Sequence, residues 1–303
     1  MKKNGADRTV RLNKYISDAG YCSRREADRL IEAGRVSVNG QIATMGQKLL
    51  SGQRVSIDGQ PLAQEKELVL LAVNKPAGIV CTTDKRWGET TIYDLLNYPK
   101  RIFSIGRLDK ESEGLLLMTN YGDISNEILR AGNYHEKEYL VTVNREVTPA
   151  FLKKMSQGIF LEELNVTTRP CKVFLAGKNR FRIILTQGLN RQIRRMCESC
   201  GYKVTKLVRV RVMNIELGSL KPGEYRPVNR KEYACLMEML HNPKKPGKKS
   251  DVVKKAMLGN ESDIVKREVP GKKSDVAKRK MSEISKEEKR SAGEKQRQRE
   301  RKR

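Results

Sequence analysis

A chain of 303 residues has room for two or three domains, and its 62 Lys and Arg against 36 Asp and Glu leave a formal charge of +26. That excess selects for a polyanionic partner, either nucleic acid or an acidic membrane surface. With no apolar run of about eighteen residues and no apolar stretch near the start, neither a membrane span nor secretion is expected, which points to the cytoplasm.

Residues 8–66 read as a short basic module. Leu12, Ile16 and Ala19 share one helical face. Ser23 with Glu26 three residues on makes a capping box, Ala27, Leu30 and Ile31 supply the stripe of a second helix, and Gly34 ends it. Val36 to Val38 alternates as a strand into Asn39-Gly40, a strong hairpin turn, and the pattern recurs at Val55-Ser56-Ile57-Asp58-Gly59. Arg8, Arg11, Lys14, Arg24, Arg25, Arg29 and Arg35 cluster around the two helices.

Residues 67–240 hold the strands, the glycine-rich turns and most of the core. Leu68 to Val73 is a continuous apolar run, hence a buried strand, and Asn74-Lys75-Pro76-Ala77-Gly78 breaks it into a turn. Gly106 to Asn120 is a polar loop that runs straight into a buried strand at Leu115. Its one loop aspartate, Asp109, sits between Arg107 and Lys110, held where a rigid strand begins. Lys137 to Val143 alternates as a strand. Thr148 and Pro149 open a helix as cap and first-turn proline. Phe181 to Thr186 is a further strand, and Gln187 to Met196 passes from loop into helix. Leu207 to Leu217 reads as a long strand with Arg209 and Arg211 on one side and Val208, Val210 and Val212 on the other. Strands that follow one another without intervening helices predict an α+β fold on a mostly antiparallel mixed sheet with flanking helices.

Residues 241–303 are a different material, with 22 Lys and Arg against 10 Asp and Glu and almost no large apolar residue. Such a segment cannot bury enough surface to offset its chain entropy, so a disordered arm is expected. Pro246-Gly-Lys-Lys-Ser-Asp-Val-Val-Lys-Lys returns at Pro270 with two changes, a low-complexity duplication. The arm is either a phosphate-binding extension or a solvated linker. Six cysteines, Cys22, Cys81, Cys171, Cys197, Cys200 and Cys235, are expected as free thiols. Cys197-Glu198-Ser199-Cys200 has metal spacing, but one pair cannot complete a tetrahedral site, so no metal is expected.

The run Gly106-Arg107-Leu108-Asp109 through Gly114-Leu115-Leu116 to Thr119-Asn120-Tyr121-Gly122-Asp123 resembles the nucleophile motif of the pseudouridine synthases, in the branch of the RsuA, RluB, RluE and RluF enzymes. Asn74-Lys75-Pro76-Ala77-Gly78 matches the turn that follows that family's first strand. Ala131 to Tyr139 and Gln187 to Asn190 look most like the RluF type. The N-terminal module is similar to an S4 RNA-binding domain, on Arg11 to Ile16, Cys22 to Ala27 and Gly34 to Gly40.

The resemblance implies a pseudouridine synthase catalytic domain after an S4 domain, isomerising uridine in structured RNA by base flipping, without any cofactor. Asp109 would be the catalytic carboxylate and Arg194, in Gln192-Ile193-Arg194, the cation that keeps it ionised. Tyr139 would stack on the target uracil, and Arg107 would enter the space the base leaves. Arg11, Lys14, Ser23, Arg24, Arg25, Arg35 and Asn39 match the RNA-gripping face of S4 domains, and Arg191, Arg209 and Arg211 are further RNA-binding candidates. The residues alone leave open whether Tyr139 is a core aromatic, Arg194 a helix-surface cation and Arg107 a phosphate contact. The implied substrate is 23S ribosomal RNA or a ribosomal precursor particle, with a tRNA as second substrate in some relatives, and the enzyme is expected to be a monomer. Two rivals share the composition. A non-catalytic RNA-binding or ribosome-assembly protein is disfavoured by the intact Asp109, Tyr139 and Arg194. A DNA-binding protein is disfavoured by the S4 pattern.

Overall fold

The computed structural model describes residues 9–63, 67–84, 86, 88–130, 132 and 134–241. Arg8 and, from residue 242 onward, the segment expected to form a disordered arm lie outside them.

The N-terminal module contains β1 (Val10–Arg11), α1 (Leu12–Asp18), α2 (Arg24–Glu32), β2 (Val36–Val38), β3 (Gln41–Ile42), β4 (Lys48–Leu49), β5 (Val55–Ile57) and β6 (Gln60–Pro61). Its helical stripes close on the inward residues of the strands. Leu12, Ile16, Ala27, Leu30 and Ile31 bury against Val36, Val38, Leu49, Val55 and Ile57, a core of its own. The Ser23 hydroxyl caps α2 by accepting from the Glu26 backbone N–H at 3.1 Å. The other half of the capping box is replaced, because the Glu26 carboxylate turns outward to Arg29 at 3.0 Å. Asn39-Gly40 and Asp58-Gly59 both adopt positive φ, +51° and +84° in one and +51° and +77° in the other. Paired left-handed residues give the tight turns whose twist matches the flanking strands, in an antiparallel sheet of order β3-β2-β5-β6.

The remainder comprises β7 (Leu70–Lys75), α3 (Ile92–Leu96), β8 (Phe103–Ile105), β9 (Glu113–Thr119), α4 (Gly122–Leu129), β10 (Lys137–Val143), α5 (Pro149–Gln157), β11 (Phe160–Leu161), β12 (Val166–Thr167), β13 (Lys172–Gly177), β14 (Arg180–Leu185), α6 (Gln192–Glu198), β15 (Val204–Val212), β16 (Ile215–Glu216), β17 (Tyr225–Pro227) and α7 (Arg230–His241). A nine-stranded sheet runs β13-β14-β10-β15-β9-β7-β17, with β16 beside β15 and β8 beside β9. Every pairing in it is antiparallel except β15 with β9.

That parallel seam joins two halves. In one, β7 and β9 are apolar on both faces. Leu70, Leu115 and Leu117 pack under α4 and α7, while Leu71, Val73, Leu116 and Met118 pack under α3. In the other, Val141, Phe181 and Ile183 pack against Phe151 and Met155 of α5 and Ile193 and Met196 of α6. Tyr139 touches the cores of both halves. At the seam Gly114 pairs with Arg209. A Cβ on Gly114 would lie 2.3 Å from the Arg209 carbonyl oxygen, and its φ of +100° is one that side chains rarely adopt. Only glycine lets these strands approach.

Two expectations are corrected. The turn predicted at Asn74 begins later, because β7 continues through Lys75, whose ammonium is satisfied internally. The predicted Leu207–Leu217 strand is two strands, β15 and β16, hinged at Met213 with φ +52°. Its cations are not on an open face. Arg209 is 4% exposed, while Arg211 is held by Glu138 at 2.8 Å and Glu136 at 3.0 Å. Groups on neighbouring segments cover these arginines, Arg209 donating to the Leu115 carbonyl at 2.6 Å, so strand alternation alone misassigns the solvent side.

Candidate active site

The Asp109 loop, between β8 and β9, is fixed from below. Lys75 is completely buried, and its Nζ donates to the carbonyls of Ser112 at 2.7 Å, Pro76 at 2.9 Å and Lys110 at 3.3 Å. The Gly78 N–H donates to the Lys110 carbonyl at 2.8 Å, and the Ser112 N–H to the Asp109 carbonyl at 3.0 Å. Burial draws the Lys75 ammonium down to about 8, against the opposing pull of Cys81, Glu113, Asp109 and Glu111. The Asn-Lys-Pro-x-Gly turn is thus the floor on which the aspartate loop rests. Sequence reading took Lys75 only as part of a turn.

Asp109 is half-buried and opens on a cleft of about 650 Å³. Across it stands β10. His135, Lys137 and Tyr139 all line the cleft, whereas Glu136 and Glu138 project to the opposite side and bind Arg211. This is the two-residue period of a strand, and it could have revealed His135 and Lys137 from the sequence. The far wall is the loop from Thr186 to Arg191 and the first residues of α6. Arg191 caps that helix in the left-handed region, φ +50°, and bonds Glu111 at 3.1 Å. Burial pushes the Glu111 carboxyl up, but the Arg191 hydrogen bond and the charges of Arg191 and Arg194 leave it below its ordinary value. At the rim, the Arg169 guanidinium sits 4.3 Å over the Tyr134 ring.

The cleft therefore brings together Arg107, Asp109, Tyr139, Arg191 and Arg209. Arg194 is not among them. It lies on the buried face of α6, 9% exposed; its Nη1 reaches the Val204 carbonyl at 3.4 Å, and its Nε has no partner. No ion pair joins it to Asp109 among the described residues. The reason is helical geometry: Gln192 and Ile193 face the cleft, and the next residue turns about 100° away. It is a buried charge, not a helix-surface one.

The remaining candidates lie on the N-terminal module. Arg11, Arg24, Arg25, Arg35 and Asn39 are exposed. Ser23 is spent on its cap, and Arg35 is paired with Asp58. Lys14 bridges Asp18 at 2.6 Å and Asp123 at 3.1 Å, which ties the module to the N-terminus of α4. Gly122 lies directly against the module: a Cβ there would sit at ordinary contact distance, 3.5 Å, from both Arg24 and Asp18. Arg101 adds a bond to Ser17. The Thr119-Asn120-Tyr121-Gly122-Asp123 run is thus structural. Thr119 and Asn120 bond the backbone beside Val69, and Gly122 and Asp123 receive the basic module.

Comparison with known proteins gives this geometry its context. The RNA pseudouridylate synthase family matches residues 69–199, and the S4 domain matches residues 10–55. The dual-specificity RNA pseudouridine synthase RluF of Escherichia coli strain K12 is 49% identical over 263 residues, covering 82% of this chain and 89% of that one. The chain belongs to the RNA pseudouridine synthase family.

The ribosomal large subunit pseudouridine synthase B of Shigella flexneri is also similar, 34% identical over 258 residues and covering 80% of this chain and 88% of that one. A crystal structure of a pseudouridylate synthase aligns with a TM-score of 0.56 at 30% identity, covering 75% of this chain and 99% of that one. This synthase is an isomerase that acts on RNA, with an S4 domain ahead of its catalytic domain. Within the described residues no helix is long and apolar enough to cross a membrane.

Proposed function

We propose that this synthase isomerises one uridine in structured 23S ribosomal RNA, and a second in a tRNA, by flipping the nucleotide into the cleft between the Asp109 loop and β10. The observation that carries the reading is that Asp109 and Tyr139, from separate elements, line one cleft at the junction of the two halves of the sheet. The names of its relatives, dual-specificity RNA in one case and ribosomal large subunit in the other, support a ribosomal target and a second RNA beside it.

Moving uracil from an N- to a C-glycosidic bond needs no external electrons or groups, so side chains suffice. A uridine inside a duplex is out of reach, and extrusion gives access at the cost of unstacking. The exposed Arg107 fills the gap. Asp109 acts as nucleophile or base on the nucleoside, and Tyr139 packs its ring against the detached base. Arg194, on the buried face of α6, adds positive charge that helps hold Glu111 ionised.

Residues 8–66 hold the RNA through its phosphates, with the exposed Arg11, Arg24, Arg25 and Asn39 as contacts and Lys14, Ser23 and Arg35 shaping that face through their own pairings, and residues 67–240 carry the chemistry. Arg191 and Arg209 act at the cleft wall, and Arg211 braces β10 against β15. The enzyme works as a monomer in the cytoplasm.

Chemical mapping of pseudouridine in total RNA tests this. Cells lacking the gene should lose a site in 23S RNA and one in a tRNA. Plasmid-borne wild type should restore both, and Asp109→Asn neither. An unchanged map, or full restoration by Asp109→Asn, would refute the reading.

A further inference from the structure

Among the described residues the Lys137 ammonium forms no hydrogen bond and no ion pair, although the residue lines the cleft. The carboxylates on either side of it in the chain, Glu136 and Glu138, face the other way and bind Arg211. Its neighbours in register are the apolar Leu185 and Val212. Among the described residues the charge bearing on it is a like one, Arg209. Lys137 itself is half-buried, and beside it the wall holds two polar atoms that are buried without a partner, Arg209 Nη2 and His135 Nε2. Unmet hydrogen-bonding capacity in a buried wall costs free energy unless something arrives to use it.

We propose that Lys137 is a catalytic residue whose ammonium donates to a carbonyl oxygen of the flipped uracil and stabilises the negative charge that gathers there as the glycosidic bond breaks. The proposal rests on the Asp109 cleft being where the uridine reacts. In the isomerisation the N1–C1′ bond breaks, a C5–C1′ bond forms, C5 loses its proton and N1 gains one. When the first bond breaks, its electron pair stays on the base, spread over N1, O2 and O4. If Asp109 instead adds to the base, the added pair also settles on a carbonyl oxygen. Either route builds anionic charge where a cation on the face of β10, two residues from Tyr139, can meet it. A fixed donor aimed at developing charge acts on the transition state more than on binding.

The titratable and charged groups that line the cleft with Lys137 are His135 just before β10, Tyr139 on β10, Arg209 on β15, Arg107, Asp109 and Lys110 on the opposite loop, and Cys81, Glu89, Arg130 and Arg191. Burial, aided by Arg209, draws its ammonium down to about 8. It is therefore charged at neutral pH and loses its proton just above it.

The test measures tritium released from RNA of gene-deleted cells labelled with [5-³H]uridine, with wild type, Lys137→Met, Lys137→Arg and Asp109→Asn. Lys137→Met should lower kcat roughly 100- to 1000-fold and leave KM within about threefold. Wild-type kcat should fall as pH rises through about 8. Lys137→Arg, charged throughout, should recover part of kcat and lose that alkaline fall. A higher KM with unchanged kcat for Lys137→Met would make Lys137 a phosphate contact and overturn the proposal, as would an alkaline fall that persists in Lys137→Arg. Should Lys137→Met not fold, the Lys137→Arg profile decides alone. Turnover by Asp109→Asn would instead indict the cleft itself.

Discussion

In the proposed reaction the chemistry turns on Asp109, and the loop beneath it makes that testable. Its carboxylate takes part in no ion pair among the described residues, while its backbone carbonyl accepts from Ser112. Asp109→Asn should therefore keep the fold, shift the melting temperature by no more than a degree or two, and abolish tritium release, because an amide neither attacks nor accepts a proton as a carboxylate does. Gly114 offers the opposite case, a residue with no chemistry and a large structural demand. Gly114→Ala would drive a methyl to 2.3 Å from the Arg209 carbonyl at a φ of +100°. The expected loss is about 3 kcal/mol or more, read as a fall in melting temperature of roughly 10 °C for a domain of this size.

Among the elements, the turn after β7 controls the loop before β9. Lys75→Met should leave the Ser112 carbonyl without its donor and destabilise the protein by about 1–3 kcal/mol, with kcat falling as the Asp109 loop loosens. The pH dependence has a definite sign. The native ammonium is held at about 8 against an ordinary value of 10.5. Between those values the unfolded chain binds more protons than the native one, so stability gained from this group grows as pH rises through that window and is lost as pH falls through about 8. Chemical denaturation of wild type and Lys75→Met at pH 7.5 and pH 10 should show the wild-type advantage larger at pH 10. An advantage that shrinks would mean the ammonium is not buried as described.

At the scale of the whole molecule, the S4 domain keeps a core independent of the catalytic cores and meets them through Lys14, Asp18, Asp123 and Arg101. Such half-exposed ion pairs contribute no more than about 1 kcal/mol each, so they orient the domain more than they stabilise it. Deleting residues 1–66 should leave the catalytic domain folded, raise KM for RNA, and make the salt dependence of binding shallower, because fewer phosphates are neutralised. An unchanged affinity across a salt titration would remove the domain from substrate gripping. Truncation after His241 removes a net charge of +12. It should lower affinity chiefly at low salt and leave the rate at saturating RNA intact. A large loss of saturated rate would show that the arm shapes the site.

Reading the sequence alone settled what is local. The hairpins at Asn39-Gly40 and Asp58-Gly59, the Ser23 and Thr148 caps and the Lys137–Val143 strand follow from turn chemistry, capping and two-residue periodicity, which act over a few residues. Asp109 and Tyr139 were legible as candidates because their motifs are contiguous. Three-dimensional packing decided the rest. Which side of β15 faces solvent depends on strands that arrive from elsewhere in the chain. So does the burial of Lys75 under a loop thirty-five residues away, the turning of Arg194 away from the cleft, and the meeting of Gly122 with Arg24. The unpartnered Lys137 belongs to the same class. A lysine in a strand looks solvated in sequence, and only the closure of two half-sheets across β9 and β15 leaves it facing the cleft with no counter-ion. Charge and desolvation depend on everything within a few ångströms, and most of those neighbours are distant along the chain.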